Sequence, residues 1–345
     1  MGQKEIRLTI DSRNGGNGDV WMRLVGFYVI AALKPEIKIR ILIPAFLRNL
    51  AKHTFSDRLE ILNDEQECES PLIYTSLGFK DLFIGIVKGE KYISPYQRSV
   101  IIDKKKRQFK DVVNIILFNL SDYAGWIQVP AWSSIKLYQG YLDIIGVKKI
   151  REIDYEQFVT QLESDSERLY SKLNSNLPIS PELTIPKDLE QNVVIFPTGT
   201  SRQFIPVNWA VKNFPDAYFA FFYRDPDAEL FQKNGLKIVF FYKEPGDIIF
   251  LSQKAKWTIS TDSFPSHLLQ YSSNKCSITI TEVLKSRIIS PVFKGKVIDA
   301  EVSCHPCLHL DRKNHPKCAA GYEECLNWKN NTYTNNLKAS AAKAN

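Results

Sequence analysis

Short apolar segments typical of β-strands alternate with amphipathic helical segments along most of the chain. One run of this alternation extends from residues 7–10 to residues 155–173, and a second begins at residues 193–196. Between the two runs, three prolines lie within residues 178–186, and proline at that density cannot sit inside a helix. Because strands that alternate with helices form parallel sheets wrapped by helices, the pattern predicts an α/β protein with two Rossmann-like domains facing a central cleft.

The same pattern predicts where the domains and elements lie. We expect an N-terminal domain at residues 1–177, a proline-rich linker at 178–190, a C-terminal domain at 191–300, a cysteine-rich finger at 301–330 and a polar tail at 331–345. The predicted strands include residues 37–43, 59–62, 82–87, 218–223, 238–242, 257–260 and 277–281. The predicted helices include residues 20–28, 46–51, 135–145, 207–214, 228–233, 247–254 and 266–271, whereas residues 112–120 fit a strand or a helix.

Composition narrows the class of protein and its partners. Apolar residues make up 44% of the 345 residues, which excludes a disordered chain, and no apolar run approaches the ~18 residues of a spanning helix. Lys and Arg outnumber Asp and Glu by 45 to 38, and this mild excess fits an anionic small ligand or surface at least as well as nucleic acid. The basic run at residues 104–107 is either a solvated loop or a contact with an anionic acceptor or a membrane. The first residues lack the apolar core of a secretory signal, so we expect a cytoplasmic protein.

Four of the six cysteines fall within one short C-terminal segment. Cys304, Cys307, Cys318 and Cys325 have the spacing C-x2-C-x10-C-x6-C. Two thiolates at C-x2-C spacing chelate one ion well, and four complete a tetrahedron. In a reducing compartment the cluster therefore favours a structural iron or zinc site, with free or redox-active thiols as the alternative.

A glycine-rich loop precedes the first predicted helix. Gly16, Asn17 and Gly18 lead into Asp19, which is expected in the first turn of that helix. Free backbone N–H groups and the positive end of the helix dipole meet there, and the glycines allow another group to approach closely. Asp19 is either a functional carboxylate or a helix cap, for which aspartate is also favoured.

Two further loops follow strands of the second domain. The first contains hydroxyls, a glycine and an arginine, which suit a phosphate group, although a solvated loop of this composition is common. The second has Asp262 and Ser263 at the end of a strand and His267 in the helix that follows. Asp262 and Ser263 either line a ligand site or cap the helix. His267 either lines the same site or is a helix histidine whose hydrogen bonds are made within the protein. The residues of the first loop are Thr198, Gly199, Thr200, Ser201, Arg202 and Gln203.

The segment Asp225-Pro226-Asp227 matches the D-x-D motif of metal-dependent sugar transferases only in its order of residues. The intervening proline favours a turn followed by the start of a helix. We therefore do not assign a divalent metal to it.

Taken together, these segments resemble the glycosyltransferase family 9 heptosyltransferases, which have the GT-B fold. Gly18-Asp19-Val20 is similar to the family's Gly-Asp-Val, and the segment from Ser260 to Leu268 is similar to its Ser-x-Asp-Thr/Ser-Gly-x-x-His-Leu. Residues 135–146 resemble its helix ending in Leu-Gly-Ile/Val, and Cys304-His305-Pro306-Cys307 resembles its Cys-x-Pro-Cys. The finger is also similar to the iron-binding finger of autotransporter heptosyltransferases, which modify protein hydroxyls and form large oligomers.

The chain departs from the family pattern at two positions. Gln203 stands where the family has its phosphate-binding lysine, and the neighbouring Arg202 is the candidate replacement. Phe264 stands where the family has a glycine after Asp-Thr/Ser. Both departures lie on the side expected to hold the donor.

The resemblance implies an inverting, metal-independent glycosyltransferase that uses a nucleotide-diphospho-sugar, most simply ADP-heptose. Asp19 would be the general base in the acceptor-side domain. Asp262, Ser263 and His267 would line the donor pocket, and Thr198, Thr200 and Arg202 would stabilise the departing diphosphate. A protein hydroxyl or a lipopolysaccharide core would be the acceptor, with homo-oligomers as a further expectation and no role for nucleic acid. The alternative is a non-catalytic binding or assembly module on the same scaffold.

Overall fold

The computed structural model describes residues 6–13, 16–67, 72–74, 100–102, 153–198, 205–223, 225–280, 285–299 and 331–342. The chain divides into two compact units, Met1–Glu167 and Arg168–Asn345. Each unit carries its own sheet with helices, so the predicted α/β class is confirmed. Several predicted features lie outside the described residues, namely the strand at 82–87, the segment at 112–120, the helix at 135–145, the basic run at 104–107 and the finger at 301–330.

The first unit contains a five-stranded sheet in the order β3-β2-β1-β4-β5. Neighbouring strands are parallel except for β4 and β5, which pair antiparallel, so the expectation of a purely parallel sheet is wrong at this edge. These two strands have three residues each, too few for a periodic signal in the sequence. The strands are β1 Ile6–Asp11, β2 Ile37–Leu42, β3 Leu59–Leu62, β4 Leu72–Tyr74 and β5 Val100–Ile102, and the helices are α1 Asn17–Leu33 and α2 Ala45–Phe55. A third helix, α3 Tyr155–Leu173, begins in this unit and continues past its last residue, Glu167, into the second.

Helix α1 forms the centre of the first unit's core. The residues that predicted it, among them Trp21, Leu24 and Tyr28, are buried, and the helix extends beyond the predicted residues 20–28 at both ends. The Phe55 ring of α2 packs against the rings of Trp21 and Tyr28 at centroid distances of 5.1 and 5.5 Å. These ring contacts hold α1 against α2.

The second unit contains a six-stranded, wholly parallel sheet in the order β11-β10-β9-β6-β7-β8. Numbered within the unit, this is the 3-2-1-4-5-6 order of a Rossmann sheet. The predicted strands and helices lie within three residues of the observed ends. The strands are β6 Val193–Phe196, β7 Tyr218–Phe222, β8 Lys237–Tyr242, β9 Trp257–Thr261, β10 Cys276–Ile280 and β11 Lys296–Asp299, and the helices are α4 Val207–Asn213, α5 Asp227–Lys233, α6 Pro245–Lys254, α7 Phe264–Leu269, α8 Lys285–Ile288 and α9 Asn331–Ala342.

The proline-rich segment is attached to the start of α6. The buried carboxylate of Asp247 accepts hydrogen bonds from the backbone N–H groups of Ser180 at 2.7 Å, Lys243 at 3.0 Å and Glu244 at 2.9 Å. A Cβ on Gly246 would stand 2.1 Å from the carbonyl oxygen of Pro178. The glycine therefore lets the chain pass directly over this helix.

Residues 331–345, which we assign from the sequence to a polar tail, contain helix α9. Its Ala341 is buried in the same core cluster as Trp257 and Ile298. Among the side chains of α9 that the structure describes, Ser340 and Ala341 are buried, and a serine and an alanine give too little apolar periodicity for the sequence to reveal this packing. Across the described residues, no helix has the length and apolarity needed to cross a membrane.

Candidate functional site

The second unit offers a crevice position at the carboxyl ends of β6 and β9. These strands are adjacent, and the sheet order reverses between them, which is where ligands bind in open α/β sheets. Thr198 lies two residues beyond β6, and Asp262 follows β9 directly. The structure therefore places the start of the first predicted loop, at Thr198, and the second predicted loop at one sheet edge. Residues 199–203 of the first loop, which contain Gly199, Thr200, Ser201, Arg202 and Gln203, lie outside the described part of the chain.

Thr198 has a partner that the sequence did not indicate. Its hydroxyl donates a hydrogen bond to Oδ2 of Asp225 at 2.7 Å, and Oδ1 of the same carboxylate accepts from the N–H of Asp227 at 3.0 Å. Asp225 thus forms the turn that begins α5, as the intervening proline indicated. No sequence signal connects Thr198 to Asp225, because the link depends on β6 and β7 being neighbours.

The loop after β9 brings Asp262 and His267 together. His267 Nε2 lies 3.4 Å from Asp262 Oδ1, and the histidine is only 7% exposed. Ser263 is the N-cap of α7, and its backbone N–H donates to Ser266 Oγ at 3.2 Å. The capping alternative therefore holds for Ser263 but not for Asp262, which pairs with the histidine instead.

Two buried polar atoms at this edge lack a hydrogen-bond partner among the described residues. They are His267 Nδ1 and the hydroxyl Oγ1 of Thr261. An unsatisfied buried polar group costs about 1–3 kcal/mol, so such atoms mark positions where a ligand or water would be stabilised. His267 is thus not the fully satisfied helix histidine that was the alternative.

In the first unit, Asp19 lies in the first turn of α1. Gly16 is the N-cap, Asn17 and Gly18 are the first helical residues, and Asp19 is exposed at the third helical position. One Asp19 carboxylate oxygen lies 3.4 Å from the point where a Cβ on Gly16 would stand. Asp19 is therefore not the N-cap, although the helix dipole still favours its negative charge.

Charged residues that the sequence analysis did not single out surround the end of β1. Arg13 donates to the buried carboxylate of Asp11 through Nε at 3.0 Å and Nη2 at 2.7 Å, and this hydrogen bonding raises the pKa of Arg13. Arg23, one helical turn after Asp19, donates to Ser12 Oγ at 2.9 Å. Burial lowers the pKa of Arg23, while the charge of Asp19 acts in the opposite direction. The i,i+4 spacing of Asp19 and Arg23 was the available signal.

Metal-ligand side chains do not cluster elsewhere in the described part of the chain. It contains no group of three or more His, Cys, Asp or Glu residues arranged to hold an ion. Cys304, Cys307, Cys318 and Cys325 lie outside that part, so the predicted finger remains a prediction.

No protein-family model matches the sequence, and no curated protein matches it. Solved structures do match. A family 9 glycosyl transferase from Veillonella parvula is 13% identical and superposes with a TM-score of 0.51 over 99% of both chains. The iron-containing dodecameric glycosyltransferase TibC from enterotoxigenic E. coli is 12% identical, with a TM-score of 0.52 over 100% of this chain and 78% of that one. The chain has the fold of GT-B-type glycosyltransferases. E. coli heptosyltransferase WaaC with ADP also matches, at 11% identity and a TM-score of 0.49 over 99% of this chain and all of that one.

The GT-B fold predicted from the resemblance is thus confirmed. Within this GT-B chain, Thr198, Asp262, Ser263 and His267 lie at the reversal of the second sheet. Gly16, Asn17, Gly18 and Asp19 lie at the corresponding carboxyl edge of the first sheet, after β1. The roles assigned to these residues remain predictions.

Proposed function

We propose that this protein is an inverting glycosyltransferase that transfers a heptose from ADP-heptose to a hydroxyl acceptor. The observation that carries the proposal is the exposed carboxylate of Asp19 in the first turn after β1, on a fold shared with glycosyltransferases. A buried cap or a paired structural carboxylate would argue against a base at this position. Asp19 is neither the cap of α1 nor buried.

In the proposed reaction Asp19 acts as the general base. Its carboxylate accepts the proton of the acceptor hydroxyl while that oxygen forms a bond to the anomeric carbon. The bond from that carbon to the diphosphate oxygen breaks, the nucleoside diphosphate leaves, and a single displacement inverts the configuration. Arg23 lies one turn along the helix, and the charge of Asp19 acts to raise the pKa of Arg23 against the effect of its burial.

The second unit would hold the donor at the reversal of its sheet. Asp262, Ser263 and His267 would line this pocket, and the unpartnered His267 Nδ1 and Thr261 hydroxyl supply polar atoms for it. Thr198 would contribute to diphosphate binding only after turning its proton away from Asp225. Since the Asp225 carboxylate repels a diphosphate, the main stabilisation would come from Arg202 and Thr200, with Gly199, Ser201 and Gln203 shaping the loop. No divalent ion takes part in this proposal.

The finger and the acceptor are the remaining parts of the proposal. Cys304, Cys307, Cys318 and Cys325 would hold one structural iron or zinc ion, which their spacing supports. TibC is described as iron-containing and dodecameric, and this favours iron and a homo-oligomer here as well. The acceptor would be a protein hydroxyl or a lipopolysaccharide core, met in the cytoplasm.

The decisive experiment compares Asp19→Asn with the wild-type chain, using ADP-heptose and a serine-containing acceptor peptide or a lipopolysaccharide core. Asparagine keeps the shape but cannot take the proton, so turnover should fall by about 10²–10⁴-fold. Binding of ADP, read as a shift of the melting temperature, should change little. Asp216→Asn, at an exposed turn of the second unit, is the matched control and should keep full turnover.

Two results would contradict the proposal. Full turnover by Asp19→Asn would remove Asp19 from the chemistry and leave it a helix residue only. Binding of ADP-heptose by the wild-type chain without transfer to any hydroxyl acceptor would favour the non-catalytic binding module instead.

A further inference from the structure

A second candidate site lies on the second unit, at the amino ends of its strands. A pocket of about 490 Å³ opens there between the segments that lead into β6, β9 and β10. Lys254 is the last residue of α6, Lys256 immediately precedes β9, and Lys275 immediately precedes β10. Gln191, Gln253 and Glu190 complete the polar lining.

Among the described residues, the three lysines of this pocket have no ionic partner. Within the described residues, neither Lys254, Lys256 nor Lys275 forms an ion pair with a carboxylate, although Glu190 lines the same pocket. The Lys254 ammonium instead stands 5.8 Å from the centre of the Phe250 ring. Three ammonium groups and one carboxylate leave a net charge of +2 in one concave surface, where the like charges repel each other. An anion bound between them would relieve that repulsion.

This pocket cannot be the proposed donor site. All strands of the second sheet are parallel, so the ends that enter the strands and the ends that leave them lie at opposite edges. The donor candidates follow the carboxyl ends of β6 and β9. Strand β9 alone has five residues, which at ~3.3 Å per residue separates the two edges by about 16 Å.

We propose that Lys254, Lys256 and Lys275 form a binding site for a phosphate group. Lysine ammonium groups bind phosphate as point charges, and a dianionic phosphate matches the net charge of the pocket. The volume accommodates a phosphate with an attached group rather than a single ion. The phosphate would belong either to a soluble phosphorylated molecule or to a lipid headgroup, and the site is independent of sugar transfer.

The test uses the full chain and the triple variant Lys254→Gln, Lys256→Gln, Lys275→Gln. The matched control is Lys187→Gln, Lys212→Gln, Lys338→Gln, which removes the same charge from exposed positions elsewhere on the second unit. One arm titrates inorganic phosphate and follows its phosphorus NMR line width. The other arm measures co-sedimentation with vesicles of equal parts phosphatidylcholine and phosphatidylglycerol, against vesicles of phosphatidylcholine alone.

The wild-type chain and the control triple variant should bind at least one of the two probes. The pocket triple variant should bind the same probe with an affinity at least about tenfold lower. This expectation follows because each exposed charge pair contributes up to about fivefold to the affinity. Binding should also weaken as the salt concentration rises. Binding of phosphate alone would identify a soluble ligand, and binding of anionic vesicles alone would identify a headgroup. The proposal is overturned if the wild type binds neither probe, or if the pocket triple binds as well as the control.

Discussion

Replacing Gly246 by alanine should destabilise the second unit, because the proline-rich segment runs directly over this residue. The new Cβ would stand 2.1 Å from the carbonyl oxygen and 2.9 Å from the carbonyl carbon of Pro178. Separations below 3.0 Å are not found for real Cβ atoms, so either Pro178 or the start of α6 must move by about 1 Å. Both atoms belong to backbone, which cannot move aside as a flexible side chain would.

The size of the effect follows from three contributions. Forcing an extra methyl into a packed contact typically costs about 1–3 kcal/mol. If Pro178 lifts away, the hydrogen bond from the Ser180 N–H to the Asp247 carboxylate weakens, and such bonds to charged groups contribute about 1.5–3 kcal/mol. Alanine is about 1 kcal/mol better than glycine inside a helix, which opposes both. We expect a net loss of about 2–4 kcal/mol in the free energy of unfolding.

Urea denaturation and amide hydrogen exchange would measure this loss. The control is Gly235→Ala, since Gly235 has a φ of +78° and open space around its Cβ position, so its cost of about 1–2 kcal/mol comes from backbone strain alone. After correction for the different free energies of unfolding of the two variants, the Ser180 amide should exchange faster in Gly246→Ala. In Gly235→Ala the same amide should keep its protection against exchange. A Gly246→Ala chain as stable as the wild type, with a protected Ser180 amide, would refute the reasoning.

Three further predictions concern the metal, the donor and pH. Purified protein should carry about one iron or zinc ion per chain, and Cys304→Ser should lose it and destabilise the C-terminal region, as elemental analysis and melting would show. Brief EDTA treatment should leave transfer unchanged, whereas Arg202→Ala should slow it about 10²–10³-fold; immediate loss of activity restored by Mg²⁺ would oppose this. Burial raises the pKa of Tyr271 to about 12, so the stability it contributes is complete below its unfolded pKa of about 10 and is lost as pH rises from about 10 to 12. Tyr271→Phe should flatten that alkaline decline in urea titrations.

Most helices and strands could be predicted from the sequence because their signals are local. The bounds of β3 at Leu59–Leu62 and of α3 at Tyr155–Leu173 match the sequence patterns residue for residue. Strands β4, β5 and β11 and helices α8 and α9 were missed. Elements of three or four residues carry little periodic signal, and the buried side chains described in α9 are a serine and an alanine, which look polar or neutral in the sequence.

The candidate site was only partly accessible to the same reasoning. The sequence indicated the loops after β1, β6 and β9, since glycines, hydroxyls and carboxylates at strand ends are local features. It could not separate a cap from a functional carboxylate at Asp19, because the position of the N-cap at Gly16 depends on where the helix actually begins. From the sequence, Asp225 was predicted only to belong to a turn, and its hydrogen bond with Thr198 was not predicted.

The order of elements along the chain, and with it the α/β class, was determined by the sequence alone. Periodicity depends on neighbours a few residues apart, so it is present before any folding. The tertiary structure decided which distant residues meet: Thr198 with Asp225, Asp247 with Ser180, and the three lysines at one sheet edge. The first and third of these contacts follow from strand order, and the second follows from the passage of the proline-rich segment over α6. All of them depend on packing between segments far apart in the chain, which no local pattern contains.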